Sequence, residues 1–332
     1  MKIIKFLLLV LGFYILYVTI QAVGVENIAL RLVDLKWKLL PLLMIYPFIF
    51  LFDTIGWSFA FPRGPSSHVP FWDLYRIRIV GETLNAVIPW AASLGGEPVK
   101  AELLKSSHHI PLSEGLASIL IVHTTLWISL NIFVIGAILV TLKTLPLTPA
   151  LWKSVLSFIF VLGFVAIFLV IGLHFGIFKK VHSIGDSLKW WGEKSAEKKN
   201  RYLRLDEEIK KFYTTDSRRF FWSVFFNFCG WFTGTLEVYW ITKILGMPIG
   251  FMEAWLLEAL FQVLRIITFL IPSSIGAQEG GILLIFMQFG FEKSLGLTFA
   301  IIRRIREVVW LGLGLMLWFL LEDRPKLKRS NK

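Results

Sequence analysis

Arg265–Gly281 reads RIITFLIPSSIGAQEGG. An apolar run stops at Pro272, passes the small residues Ser273, Ser274 and Gly276, and meets Glu279 before ILLIFMQF resumes. Proline removes a helical N–H and clashes with the turn before it, so the stretch predicts a helix broken inside a membrane-sized apolar segment. Backbone that leaves helical geometry at that depth survives only where protein or a water-filled cavity receives its polar groups. A carboxylate beside the break, with Arg265 one helix away, points to a polar site within the bilayer.

The surrounding composition agrees. Of 332 residues, 56 % are apolar, with 14 Trp and 30 Phe, and the mean hydropathy is +0.67. A water-soluble globule could not hide that much apolar surface, so the chain reads as an all-α polytopic membrane protein. Its net charge of +12 gathers between and after hydrophobic spans, where it marks cytoplasmic loops facing anionic lipid; no nucleic-acid partner is expected. The single Cys229 excludes an intramolecular disulfide, and no metal or cofactor is expected.

In chain order the reading is an N-terminal anchor helix over 5–23 with its loop to 36, then a span from Trp37 to Phe61 that carries Asp53. Phe71–Val80 reads as a helix lying at the interface, because Arg76 and Arg78 flank its apolar residues. The next stretch, GETLNAVIPWAASLGGEPVKAELLKSS, is too interrupted by Pro89, Gly95, Gly96, Glu97 and Pro98 to cross as one helix, and predicts a hairpin that enters and leaves from the cytoplasm. Spans follow over Leu112–Leu142, which contains His123, and over Leu151–Phe178. The polar stretch 179–219 reads as a solvated, partly helical cytoplasmic loop or a docking surface, and 220–245 as a further span. The broken segment Phe251–Phe289 and a last span over Leu295–Leu321 lead to a basic tail, which places both termini in the cytoplasm. The total is about six full spans plus two re-entrant hairpins.

At an offset of about 181 positions the two halves repeat. Ser93-Leu94-Gly95 falls on Ser274-Ile275-Gly276, His123 on Arg304, and Glu97 within one residue of Glu279. The chain thus divides as anchor and loop (1–36), first repeat (37–142), connecting helix (143–178), basic loop (179–219), second repeat (220–321) and tail (322–332), all one integral membrane unit. Crossing counts make the repeats inverted, and paired breaks in inverted halves point to a transport site near the midplane.

Glu97 and Glu279 each follow a small-residue break, where a helix N-terminus offers unpaired amides to an anion or to the carboxylate itself. Lys100, three residues on, shares a helical face with Glu97, so an ion pair there competes with headgroup binding. In AIIRRIREVVW, Arg303, Arg306 and Glu307 share a face while Arg304 points elsewhere; charges so costly in lipid are expected to face the interior. Paired guanidiniums suit a phosphate, and equally suit neutralising Glu279, Glu258 or Glu307. The candidate substrate-binding residues are therefore Glu97, Lys100, Arg265, Ser274, Gly276, Glu279, Arg303, Arg304, Arg306 and Glu307, with Glu82, Asn85, His123 and Gln278 beside them. His123, alone on an apolar helix, reads as a structural hydrogen-bonding residue. No catalytic motif is present.

GETLNAVIPWAASLGGEPVKAELL, FLIPSSIGAQEGG and AIIRRIREVVW together resemble the flippase-like membrane domain of lysylphosphatidylglycerol synthases and related stand-alone proteins, and within it the hopanoid-associated HpnL-type branch. The resemblance implies a bacterial inner-membrane protein with re-entrant helices that moves a lipid, for that branch a hopanoid, across the bilayer. Lysine transfer is not implied, since the soluble aminoacyl-transferase portion is not matched. Two other readings stand beside it: a membrane-embedded transferase acting on a lipid-linked intermediate, and a non-transporting partner of lipid-synthesis enzymes. The expected partners are a membrane lipid, anionic lipids at the cytoplasmic surface, and a lipid-biosynthesis protein or a second copy of the chain.

Overall fold

A computed structural model describes residues 36–62, 69–87, 95–141, 195–268, 271 and 274–322, with positions 160, 163 and 164 besides. The expected span at 5–23, that at 151–178 apart from those three positions, the tip of the first hairpin with Pro89, the residues Pro272 and Ser273, and the basic tail lie outside these.

The described residues form nine helices and no strand. After a 3-10 turn at Lys36–Leu39 come α1 (Leu40–Phe59), α2 (Phe71–Val87), α3 (Gly96–His108) and α4 (Leu112–Thr141). Then follow α5 (Ser195–Thr215), α6 (Ser217–Ile244), α7 (Phe251–Ile267), α8 (Ala277–Gln288) and α9 (Lys293–Glu322). An order of long, short, short, long occurs twice: 20, 17, 13 and 30 residues in α1–α4, and 28, 17, 12 and 30 in α6–α9.

Trp37–Phe59 and Leu112–Thr141 are long and apolar enough to cross a membrane, each with a mean hydropathy of 1.9. By length α6 and α9 also suffice, at roughly 1.5 Å of rise per residue. Their apolar character is diluted by Glu237 in α6 and by Arg303, Arg304, Arg306 and Glu307 in α9. Glu237, Arg303 and Arg306 are buried, where opposite charges meet one another instead of lipid.

The expected interfacial helix is corrected. Phe71–Val80 is the first part of α2, which runs unbroken to Val87, and Arg78 is 5 % exposed. Carboxylates on α1 and one turn along α2 receive its guanidinium, which removes the penalty that argues for an interface. The stretch 179–219 is corrected in part as well. Within it, α5 buries Leu205, Ile209 and Phe212 in one core with Ala117 and Ile121 of α4, so one face of this charged helix is covered and only the other is free for water.

Close approach places the breaks. A Cβ at Gly96 would stand 1.9 Å from the Gly81 carbonyl oxygen, and a Cβ at Gly81 would strike the Lys100 side chain; glycine at both sites lets α2 and α3 touch backbone to backbone. Gly276, which opens α8, has φ +76°, a conformation that costs a side-chain-bearing residue energy. Across the halves, α1 packs most extensively on α6, α2 on α9, and α7 on α4. Backbones of α4 and α6 meet directly, whereas at the corresponding α1–α9 seam Trp310 reaches across to the rings of Tyr46 and Phe50, at centroid distances of 5.7 and 5.8 Å.

Candidate functional site

The two halves each carry a chain of buried charges. In the first, Arg78 of α2 donates to Asp53 of α1 at 3.1 Å and lies 3.4 Å from Glu82. Lys100 of α3, 1 % exposed, donates to both Glu82 and Glu97 at 2.9 Å. Asn85 ties the break together: its amide donates to Glu97 at 3.0 Å while its oxygen accepts the Gly96 N–H at 2.8 Å, supplying one of the amides that opens α3. His123 of α4 completes the chain, with Nε2 3.3 Å from the other Glu97 oxygen.

In the second half Glu237 of α6, fully buried, takes both Arg306 and Arg303 of α9, the latter at 3.3 Å. Arg303 also reaches Glu258 of α7 at 3.2 Å, which accepts a hydrogen bond from Gln262. Arg304 turns to the other side, donating from Nε to Glu279 at 2.7 Å and from Nη1 to Glu307 at 2.7 Å. The second Glu279 oxygen accepts the Gly276 N–H at 2.7 Å, so this acid caps α8 and neutralises a guanidinium at once. At the same break Thr268 donates to Ser274 at 3.0 Å.

A cavity of about 440 Å³ lies between the two halves. Asp53, Arg78, Glu82, Asn85 and His123 face it from the first, and Glu237, Glu258, Arg265, Arg303, Arg306 and Glu307 from the second. Trp127, Trp231 and Trp310 supply apolar wall. A much smaller recess of about 10 Å³ adjoins it at Arg265, Gln278 and Glu279. Among the described residues, Arg265 is the cavity-facing arginine with no carboxylate within ion-pair distance, and it is exposed. Arg78, Arg303 and Arg306 are each held by acids.

The residues expected from sequence thus divide. Arg265, Ser274, Gln278, Arg303, Arg306 and Glu307 face the cavity, as do Glu82, Asn85 and His123. Glu97 and Lys100 stand behind Glu82 and Asn85 in the first network. Glu279 and Arg304 line the small recess, and Gly276 serves through its backbone. The expected pair of guanidiniums is present, but Arg303 and Arg306 are neutralised by Glu237 and Glu258. Asp53, Arg78 and Glu237 were missed as site residues. Asp53 and Glu237 are lone acids in apolar spans, and that rarity was the available signal. Among the described residues no three His, Cys, Asp or Glu side chains are grouped to hold a metal ion.

Long apolar helices enclose buried charges and a tryptophan-walled chamber, as in an integral membrane protein, and a family model described as the lysylphosphatidylglycerol synthase TM region matches residues 3–314. The chain belongs to this family. It is also similar to a protein named UPF0104 membrane protein PH1989 from Pyrococcus horikoshii, with 25 % identity over 321 residues that cover 91 % of this chain and 92 % of that protein. No solved structure matches. Membership in the family model spans both breaks, both charge networks and the cavity between them.

Proposed function

We propose that the protein is a lipid transporter of the flippase kind, in which the central cavity holds a polar headgroup while the acyl or polycyclic body stays in hydrocarbon. The cavity's position between two similar halves, lined by charges from both, carries this reading. The repeated order of helix lengths supports two inverted repeats, each with a re-entrant hairpin made of α2 and α3 or of α7 and α8, within about six full spans. The ring-bridged α1–α9 seam is the natural side entrance for a lipid body, because aromatic side chains can swing aside where packed backbones cannot.

Arg265 is the anchor for a headgroup. Its guanidinium is the cavity-facing one that no acid occupies among the described residues, so a phosphate oxygen there gains a charge-assisted bond without displacing a protein carboxylate. The transferase reading loses ground on the same geometry: Glu97 and Glu279 are bound to cations and set back from the main cavity, a poor arrangement for a general base. The motif resemblance makes a hopanoid one lipid to test beside phosphatidylglycerol, and the charge rule assigns both termini to the cytoplasm of a bacterial inner membrane.

The test is reconstitution of the full chain in vesicles of phosphatidylethanolamine and phosphatidylglycerol carrying a fluorescent phosphatidylglycerol or a labelled hopanoid, followed by leaflet-selective quenching and mass analysis. Redistribution of an unmodified lipid that falls on Arg265→Ala is the expected result. A lipid of altered mass would install the transferase reading instead.

A further inference from the structure

We propose that His123 and Glu97 form a binding site for one exchangeable proton, and that this proton drives lipid transfer; the driving role rests on the transport reading above, the site itself does not. His123 Nε2 and Glu97 Oε2 are both buried and lie 3.3 Å apart, with no other hydrogen-bonding partner for either atom. His123 also faces the cavity, with a third of its side-chain surface open. A proton can therefore enter from the cavity and settle between an imidazole and a carboxylate.

Charge counting gives the site its purpose. Asp53, Glu82 and Glu97 share two basic side chains, Arg78 and Lys100, in one connected network. Counted with all three acids ionised, the network holds one more anion than it has cations. Among the described residues, the remaining titratable group in contact with the network is His123, whose protonation adds a positive charge beside Glu97. In the second half, Arg303 and Arg306 meet Glu237 and Glu258, and Arg304 meets both Glu279 and Glu307, with no histidine in the cluster among the described residues.

Comparison of the halves sharpens the point. His123 and Arg304 fall on each other at the 181-residue offset, and each binds the acid of its own break, Glu97 and Glu279 respectively. A guanidinium does not release its proton near neutral pH, whereas an imidazole does. One repeat therefore holds a fixed charge pair and the other a pair that can be switched. Loss of the proton removes the positive charge beside Glu97 and weakens the tie between α3 and α4, whereas the guanidinium of the equivalent Arg304–Glu279 tie keeps its proton near neutral pH.

The surroundings of His123 are mixed. From α3 come Glu97 and Lys100, from α2 Arg78, Glu82 and Asn85, and from α1 Asp53. Across the cavity stand Glu258 and Arg265 of α7, Glu237 of α6, and Arg303, Arg306 and Glu307 of α9. On its other flank α4 presents Thr124 and Thr125, the latter bonded to the uncharged Ser223 and Asn227 of α6, while α5 brings the phenol of Tyr213.

Two measurements on the full chain test this. In nanodiscs, nitrogen-15-labelled histidine spectra read the protonation of each of the six histidines directly. The expected result is one signal, absent in His123→Gln, that changes with pH and whose response is altered in Glu97→Gln. A His123 signal that stays neutral throughout, or is indifferent to Glu97→Gln, overturns the site. In vesicles with fluorescent phosphatidylglycerol, an imposed difference of one pH unit should change the initial transfer rate by up to about tenfold, and His123→Arg, which copies the Arg304–Glu279 pair, should abolish that response. Transfer in the native protein that ignores the gradient overturns the coupling; transfer absent under every gradient overturns the transport reading, and the histidine spectra still decide the site.

Discussion

Glu237 is the residue on which the second half turns. It is fully buried and is the shared acceptor of Arg303 and Arg306. Without it Arg306 would face uncompensated burial, which costs on the order of 3–5 kcal/mol per broken pair, while Arg303 would keep Glu258. Glu237→Gln is therefore expected to lower the thermal unfolding midpoint of the detergent-purified protein sharply, and unchanged unfolding would refute this account of the network. Arg265→Ala is the contrasting case. With no acid partner among the described residues, it should shift stability by no more than about 0.5 kcal/mol while removing lipid transfer. Much of this was visible in sequence: the pairing of Glu97 with Lys100 followed from a spacing of three, and the correspondence of His123 with Arg304 from a fixed offset. The acids that hold Arg78 and Arg306 were not visible, because they lie 25 and 69 positions away, and nothing local distinguishes an arginine that meets a distant acid from one that snorkels to an interface.

At the scale of elements, the breaks were legible and the joints between them were not. Proline, serine and glycine clusters announce where a helix must stop, and α7 ends and α8 begins within the stretch they mark. The continuity of α2 was hidden by its two arginines, since a charge pattern reports polarity but not whether the polarity is paid off in the interior. The contact of Gly96 with Gly81 also belongs to this scale. Gly96→Ala would drive a methyl group into the Gly81 carbonyl and force α3 away from α2, at a cost of about 1–3 kcal/mol. Thermal unfolding reads this loss, and the Lys100 bonds to Glu82 should loosen with it. An alanine variant as stable as the parent would mean that the two helices are free to separate there.

For the whole molecule, the proposed inverted arrangement makes an opposed pair of accessibility predictions. Cys229 is the lone thiol of the chain and is half-buried, so a Cys229→Ser background allows single thiols to be placed at will. Ser106→Cys, near the end of α3, should react with a membrane-impermeant thiol reagent from the cytoplasmic side. Lys293→Cys, at the start of α9, should react from the opposite side. Labelling of both from one face would dismiss the inverted topology while leaving the charge networks as described.

The cross-over of contacts between halves has a consequence for assembly. The first leg of each hairpin rests on the final long helix of the other repeat, α2 on α9 and α7 on α4, as two hands clasp by the wrists. Neither repeat can complete its own interior, so a polypeptide severed between Thr141 and Ser195 should yield two pieces that are each degraded when made alone. Made together, they should find one another in the membrane and survive as a noncovalent pair.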